Sequence, residues 1–329
     1  MKSIVTIGGG TGQYTLLSGL KRYPVQLTAI VTMADDGGST GILRDELGVL
    51  PPGDIRQCLV ALSEADLIVR ELFNYRFETG GLKGHNFGNI FLSALEKIAG
   101  NFEEAVRVSG MVLATRGTVI PVTTQNVRLV CETPVMAGAA PETIRGQYAI
   151  ETARLPAGSA LRLEPDVYAN PKAVEAIERA DCLVIGPGNF TCSILPNLLV
   201  KGIPEAIARS RAKVIYNCNL MTKAGHTDGY TVGSFLEAIE RHVGKDRVDF
   251  VTANSRIPED ELLERYASEG EYPVPPAAPG DVNARLLAAD LISRNIPVLK
   301  EGDPIKRTLI RHDPDTLAGL IVTNCLGGL

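Results

Sequence analysis

The sequence lacks several features that would each indicate a particular class of protein. Its 33 Lys and Arg residues are outnumbered by 38 Asp and Glu, and the net charge of −5 gives no general attraction to nucleic acid or anionic lipid. No apolar run approaches the roughly 18 residues that a membrane span requires. These absences argue against nucleic acid as a main partner and predict no membrane span.

Cysteine pairs of a recognisable type are also missing. The six cysteines are scattered, with no C-x-x-C pair and no Cys/His cluster of the zinc-binding kind. The first residues pass directly into a strand-like run, without the apolar stretch and cleavage site of a signal peptide. We therefore expect a cytoplasmic protein. The sequence contains no heptad pattern that would predict a coiled coil. It is compatible with a homo-oligomer and with a regulatory protein partner.

Short β-branched or apolar runs recur along the chain. Each ends in Gly, Asn or Asp and precedes a stretch with helical spacing. They cover residues 4–7, 27–32, 182–185, 213–216 and 248–251. This alternation predicts an α/β fold, a Rossmann-like three-layer parallel sheet with helices on both faces, in a single domain of residues 1–329.

One region departs from this alternation. Between about residues 111 and 168, β-branched runs with Gly and Pro punctuation at 117–121, 126–131 and 148–154 predict a small antiparallel β region inserted into the parallel core. Further along, four prolines within residues 270–280 predict a loop.

A glycine cluster follows the first predicted strand and opens the first helix. It comprises Gly8, Gly9, Gly10, Thr11 and Gly12. Backbone amides and a helix dipole meet at such a position, so the cluster predicts a phosphate anchor. The dinucleotide fingerprint G-x-G-x-x-G is incomplete, because its third glycine, counted from Gly8, would fall at Gln13. The cluster is not a P-loop either, because no Gly-Lys-Ser/Thr follows it. Tight strand-to-helix packing is the alternative role.

Acidic residues follow the second predicted strand. Asp35 and Asp36 would lie at the same carboxyl edge of the sheet as the glycine cluster. They could accept hydrogen bonds from a ribose or help to hold Mg²⁺ against phosphate oxygens. Asp54, which follows a turn, is a further candidate, with a helix N-cap as its alternative role. We take Asp36 and Asp54 as candidate metal ligands and Mg²⁺ as the candidate cofactor.

Three more segments place polar groups after strands or before helices. A loop with an imidazole and two amides precedes one helix, where the asparagines could bind a ligand or simply cap and turn the chain. A second glycine loop repeats the strand, turn and helix arrangement, and two anion-binding loops suit a diphosphate. The candidate ligand-binding residues of these segments are His85, Asn86, Asn89, Gly186, Pro187, Gly188, Asn189, Ser193, Asn217 and Asn219.

Six segments, taken in order, resemble one family over nearly the whole chain. The matching segments are Gly8-Gly-Gly-Thr-Gly12, Thr32-Met-Ala-Asp-Asp-Gly-Gly38, Leu50-Pro-Pro-Gly-Asp-Ile-Arg56, His85-Asn-Phe-Gly-Asn89, Gly186-Pro-Gly188 with Ser193-Ile-Leu-Pro-Asn197, and Thr227-Asp-Gly-Tyr230. Together they resemble the YvcK-like gluconeogenesis factors of the CofD-like superfamily, relatives of 2-phospho-L-lactate transferase.

The resemblance implies a cytoplasmic, Rossmann-like protein that binds a nucleotide-linked ligand along the strand ends. For the YvcK-like branch it implies a UDP-sugar such as UDP-N-acetylglucosamine and regulation of cell-wall synthesis and cell shape during gluconeogenic growth. For the transferase branch it implies a divalent metal at the acids resembling Asp35 or Asp36 and Asp54. Tyr266 and Arg311 resemble family positions near the nucleotide, where they could stack on a base or sugar and grip a diphosphate, or merely pack and be solvated.

Three functions therefore remain open. The first is a regulator that binds a UDP-sugar without turning it over. The second is a Mg²⁺-dependent transferase that moves a phospho-organic-acid group from a nucleotide donor to an acceptor hydroxyl. The third is an NAD(P)-dependent dehydrogenase, which the incomplete fingerprint and the second glycine loop disfavour. Family membership does not decide between sensor and enzyme, since both would bind a nucleotide in the same cleft.

Overall fold

The computed structural model describes residues 1–135, 141–295 and 309–327. Within these residues the strands are β1 (Ser3–Gly8), β2 (Gln26–Val31), β3 (Thr118–Pro121), β4 (Arg128–Glu132), β5 (Thr143–Arg145), β6 (Ala160–Glu164), β7 (Cys182–Ile185), β8 (Lys213–Asn217), β9 (Phe250–Asn254) and β10 (Arg285–Ala289). The helices are α1 (Gly10–Leu20), α2 (Gly38–Leu47), α3 (Gly53–Leu62), α4 (Leu67–Asn74), α5 (Phe87–Ala99), α6 (Phe102–Val112), α7 (Gln147–Thr152), α8 (Pro171–Arg179), α9 (Leu195–Leu198), α10 (Ile203–Arg209), α11 (Val232–Val243), α12 (Asp260–Ser268) and α13 (Pro314–Leu326).

A seven-stranded parallel sheet forms the centre of the fold, in the order β10-β9-β8-β7-β1-β2-β3. The chain runs outward from β1 through β2 to β3, then returns to β7 on the other side of β1 and continues outward to β10. The direction of winding therefore reverses between β1 and β7. In doubly wound sheets this switch point opens a crevice outside the carboxyl ends of the strands, where ligands bind.

Helices cover both faces of this sheet. On one face α1 packs against α3 and α13, and on the other α10 packs against α8 and α11. The central strands are accordingly apolar on both sides, and all four residues of β7 are fully buried, as expected for a parallel strand between two helical layers. The predicted fold class is confirmed. Because the buried apolar residues form one cluster, we propose that the chain is a single domain.

A second, antiparallel sheet of three strands has the order β5-β4-β6. The prediction of an antiparallel strand at 117–121 is wrong, because β3 pairs in parallel with β2. A β-branched run indicates a strand but carries no information about its partner. The expected strand at 148–154 is also wrong, because α7 occupies most of it and the Tyr148 amide donates to the distant Asp36 carboxylate.

Two further predictions concern the proline-rich stretch and the membrane span. The proline-rich stretch 270–280 contains neither helix nor regular strand, and one isolated bridge joins Met221 to Pro273. Of the helices described here, none is both long and apolar enough to cross a bilayer.

Candidate functional site

The two glycine loops meet at the switch point of the sheet. Gly8 ends β1 and Gly186 follows β7, and the Gly186 amide continues the ladder by donating to the Ile7 carbonyl at 2.9 Å. A Cβ added at Gly12 would overlap the Pro187 carbonyl oxygen and lie 2.6 Å from the Gly188 Cα. Glycine is therefore required at position 12 by the close approach of α1 to the second loop.

The first loop also needs glycine for its conformation. Gly10 has a φ of +61°, in the left-handed region, and begins α1 at this point, so the amides of the first turn point out of the strand end. Ser193 of the second loop lies beside it, with its Oγ 3.8 Å from the position of a Cβ at Gly10. Thr11, the next residue, is exposed. The structure thus brings the predicted residues of both loops together.

A half-buried acid, Asp54, faces the first loop, and Asp35 lies near it. A Cβ added at Gly9 would overlap the Asp54 carboxylate, whose Oδ1 also lies 3.7 Å from the Cβ position at Gly10. Burial, followed by the negative charges of Asp35 and Glu151, raises the pKa of Asp54 to about 8. Burial likewise raises the pKa of Asp35, although the Gly37 amide donates to its carboxylate at 3.0 Å.

The carboxylate of Asp36 has different neighbours. It accepts a hydrogen bond from the Tyr148 amide at 2.9 Å and lies 3.6 Å from a guanidinium nitrogen of Arg128 in the antiparallel sheet. The negative charge of Asp35 contributes to the raised pKa of Asp54, and the Asp35 Oδ2 lies against Gly53, the residue before Asp54. Asp35 therefore joins Asp36 and Asp54 as a candidate metal ligand.

Glu151 is a site residue that sequence reasoning missed. It lies in α7, and its two carboxylate oxygens accept hydrogen bonds from Asn189 at 3.1 Å and from Gln147 at 2.6 Å. Its negative charge contributes to the raised pKa values of Asp35 and Asp54. Reading this stretch as a strand left no basis for placing a carboxylate here.

Amide side chains surround the second loop. Asn189 accepts from the Cys192 amide at 3.1 Å, and it thereby caps the π-helical turn Phe190–Ile194 that leads into α9. At the end of β8, Asn217 donates to the Gly186 carbonyl at 3.1 Å, and Asn219 donates to the Gly188 carbonyl at 2.8 Å. These bonds occupy the carbonyl groups of the loop and fix its shape.

Gln13 explains why the dinucleotide fingerprint is incomplete. Its buried amide donates to Thr6 Oγ1 at 3.0 Å and to the Ile30 carbonyl at 3.1 Å, so it joins β1 to β2. A glycine at this position would allow the helix to approach the strands more closely. The arrangement differs from that of a dinucleotide site, which weakens the dehydrogenase alternative.

Comparisons with known proteins identify the family of this chain. A family model described as 2-phospho-L-lactate transferase CofD matches residues 4–293. The gluconeogenesis factor of Bacillus subtilis is 38% identical over 322 residues, which cover 97% of this chain and 96% of that protein. The gluconeogenesis factor of Halalkalibacterium halodurans is 43% identical over 274 residues, which cover 83% of this chain and 84% of that protein.

A crystal structure of a Bacillus halodurans protein superposes with a TM-score of 0.86 at 38% identity, over 97% of this chain and 99% of that one. The chain belongs to the gluconeogenesis factor family of the CofD-like superfamily. The family predicted from the six sequence segments is thereby confirmed.

In this member of the gluconeogenesis factor family, the His85 loop is connected to the acids through side-chain hydrogen bonds and Arg56. Asn86 caps α5 by accepting from the Asn89 amide at 3.2 Å, and His85 Nδ1 lies 3.3 Å from Ser39 Oγ. Asn89 accepts from Arg56 Nε at 3.0 Å. Burial lowers the pKa of Arg56 to about 10, and the guanidinium places a positive charge near Asp54.

The two C-terminal candidates lie farther along the same strand ends. Tyr266 is 8% exposed, and its hydroxyl accepts from the backbone amides of Leu309 at 2.9 Å and Ile310 at 3.2 Å. Its ring is packed rather than open for stacking. Arg311, which is half-buried, comes next in the chain. It is followed by His312, whose Nε2 lies 3.1 Å from the carbonyl oxygen of Cys218, the residue after β8. The segment carrying Arg311 is thus anchored beside the second loop.

The acids near the first loop offer oxygen ligands of the kind that Mg²⁺ prefers. Within residues 1–135, 141–295 and 309–327, no group of three or more His, Cys, Asp and Glu side chains is arranged to hold a metal ion. Asp35 and Asp54 nevertheless supply two half-buried carboxyl groups, and the negative charge of Asp35 contributes to the raised pKa of Asp54. Two carboxylates completed by substrate phosphates and water form a common Mg²⁺ site, so the residues fit a cation that arrives with a phosphate ligand.

Proposed function

We propose that this protein binds the diphosphate of a UDP-sugar between its two glycine loops, with UDP-N-acetylglucosamine as the first candidate. In this proposal it is a cytoplasmic regulator of cell-wall synthesis and cell shape during gluconeogenic growth, acting through a protein partner. The observation that supports it most is the direct contact of the two loops at the switch point, where Gly12 meets Pro187.

The charges around the loops refine the proposal. Amides of the second loop attract a phosphate, but the Asp35 and Asp54 carboxylates at the first loop would repel it if both were ionised. Mg²⁺ bound by these two residues would supply positive charge to the phosphate oxygens. Binding is therefore expected to depend on a divalent cation.

Isothermal titration with UDP-N-acetylglucosamine, in Mg²⁺ and in EDTA, tests the proposal. We expect saturable heat in Mg²⁺ and a large loss of affinity in EDTA. Thermal unfolding gives a second measure, because a ligand that binds only the folded state raises the midpoint. Absence of heat with every uridine nucleotide sugar in Mg²⁺ would remove the proposal.

A Mg²⁺-dependent transferase is the second candidate function, and the neighbouring half-buried acids Asp35 and Asp54 favour it. Incubation with a nucleotide-linked phospho-organic acid, an acceptor alcohol and Mg²⁺ should then release the free nucleotide as the phospho-acid joins the acceptor hydroxyl. The variant Asp54→Asn should lose this release. Full turnover by the variant would contradict a role for Asp54, and no turnover by the wild type would leave the sensor.

A further inference from the structure

The side chain of Asn197 connects the two glycine loops by hydrogen bonds. It lies in α9, directly after the π-helical turn of the second loop, and is fully buried. Its side-chain NH₂ group donates to the Ser193 carbonyl at 2.8 Å and to the Gly8 carbonyl at 3.0 Å. One amide group therefore holds the last residue of β1 and a residue of the second loop at a fixed separation.

The two residues that Asn197 holds lie next to the groups that face a ligand. Gly8 precedes the amides of the first loop, and Ser193 carries the hydroxyl that lies beside Gly10. A shift of either carbonyl would change the spacing of the two loops. The backbone ladder of β1 and β7 ends where Gly186 donates to Ile7, and beyond it the contact between Gly12 and Pro187 is steric. The hydrogen bonds of Asn197 therefore join the loops past the end of the ladder.

Stability alone does not account for an amide at this position. The Asn197 Oδ1 atom is buried and has no hydrogen-bond partner among the described residues. An unpaired buried acceptor opposes folding, and an apolar side chain of similar size would avoid it. The benefit of the asparagine therefore lies in its two donated hydrogen bonds.

We propose that Asn197 is a positioning residue that sets the spacing of the two glycine loops and thereby their preference for a diphosphate over a monophosphate. This inference rests on the proposed function, in which each loop receives one phosphate. A diphosphate contacts both loops and is sensitive to their spacing. A monophosphate contacts one loop and is not.

The test compares UDP with UMP, titrated in Mg²⁺ into the wild type and into Asn197→Leu. Loss of the buried hydrogen bonds should weaken UDP about tenfold, while UMP should change by less than about twofold. The matched control is Asn324→Leu, because Asn324 donates to a carbonyl four residues earlier in α13 but joins no loops. It should leave the UDP to UMP preference unchanged.

The outcomes distinguish failure of the positioning role from failure of the proposed function. If Asn197→Leu weakens UDP and UMP equally, or neither, while the wild type prefers UDP, the positioning role is wrong and the proposed function stands. If the wild type binds neither nucleotide nor any uridine nucleotide sugar, both are wrong. Should Asn197→Leu fail to fold, Asn197→Ser, which is too short to reach Gly8, carries the same expectation.

Discussion

The loop after β1 and the loop after β7 occupy equivalent positions on adjacent parallel strands, yet different side chains face them. The first is faced by the half-buried carboxyl group of Asp54, with Asp35 near it. The second is surrounded by the amides of Asn189, Asn217 and Asn219. One backbone arrangement is therefore repeated with carboxyl groups beside the first loop, and with amides next to the Glu151 carboxylate beside the second.

This difference gives each loop a distinct part in the proposed site. In the proposed site, backbone amides of the second loop hold one phosphate, and the Glu151 carboxylate beside Asn189 is the negative charge near them. The first loop, in the same proposal, holds the other phosphate together with a cation that compensates its acids. Metal dependence should therefore be a property of the first loop, and structural coupling to the C-terminal segment a property of the second.

The largest expected effect comes from pushing the loops apart. The variant Gly12→Ala places a methyl group where the Pro187 carbonyl already lies, so it should destabilise the protein by about 2–4 kcal/mol and abolish UDP-sugar binding. Thermal unfolding and titration measure both effects. Gly81→Ala is the control, since nothing lies within 4 Å of its added Cβ. Normal binding by Gly12→Ala would show that the loops need not touch.

The next largest effect should be a pH dependence on the side of the second loop. Burial lowers the pKa of His312 to about 4, against an ordinary value near 6.5. The unfolded chain then binds more protons between these values, so stability should fall by roughly 3 kcal/mol as the pH drops from about 6.5 to 4. Denaturant unfolding of His312→Gln should show a shallower decline. An identical decline in the variant would assign the effect to other groups.

Metal dependence should follow the first loop. In Mg²⁺, Asp54→Asn should weaken UDP-N-acetylglucosamine by about 2 kcal/mol, or about thirtyfold, and EDTA should then have little further effect. Titrations of both proteins in both buffers measure this. Asp166→Asn is the control, because this exposed acid pairs with Lys201 outside the loops. A variant that still responded to Mg²⁺ as the wild type does would place the cation elsewhere.

The smallest effect should come from the amides of the second loop. Asn219→Ala removes the bond to the Gly188 carbonyl and leaves the buried Tyr216 hydroxyl without that partner, so affinity should fall about fivefold, near 1 kcal/mol. Asn283→Ala, whose amide donates to Asp246 outside the loops, should bind normally. A larger loss for Asn219→Ala than for Asp54→Asn would reverse the ranking of the two loops.

Much of this arrangement could be predicted from the sequence because it depends on local order. A strand, a glycine turn and a helix follow one another at Ile7 and again at Ile185, and the carboxyl ends of parallel strands share one edge of a sheet. The meeting of the two loops follows from those two facts. Capping by Asn86 was likewise readable from its position before an apolar helical run.

The parts that sequence could not supply are decided by tertiary contacts. The six residues of α7 form a helix with its first turn held by the Asp36 carboxylate, 112 positions away in sequence, so local spacing did not reveal it or Glu151. The same holds for Asn197, which is one polar residue in an apolar helix until its bond to Gly8, 189 positions away, is seen. Side chains that join distant segments leave no periodic signal.

The adjacency of β1 and β7 has a consequence for biosynthesis. Ile4 pairs with Cys182, so one edge of the first strand stays unpaired until the chain has left the ribosome as far as β7. Until then the nascent chain exposes a strand edge to which another strand could add. The loop after β1, with its neighbouring acids, also lacks the loop after β7. Maturation of the pocket is therefore a late event, and the early intermediate is the form that most needs protection from aggregation.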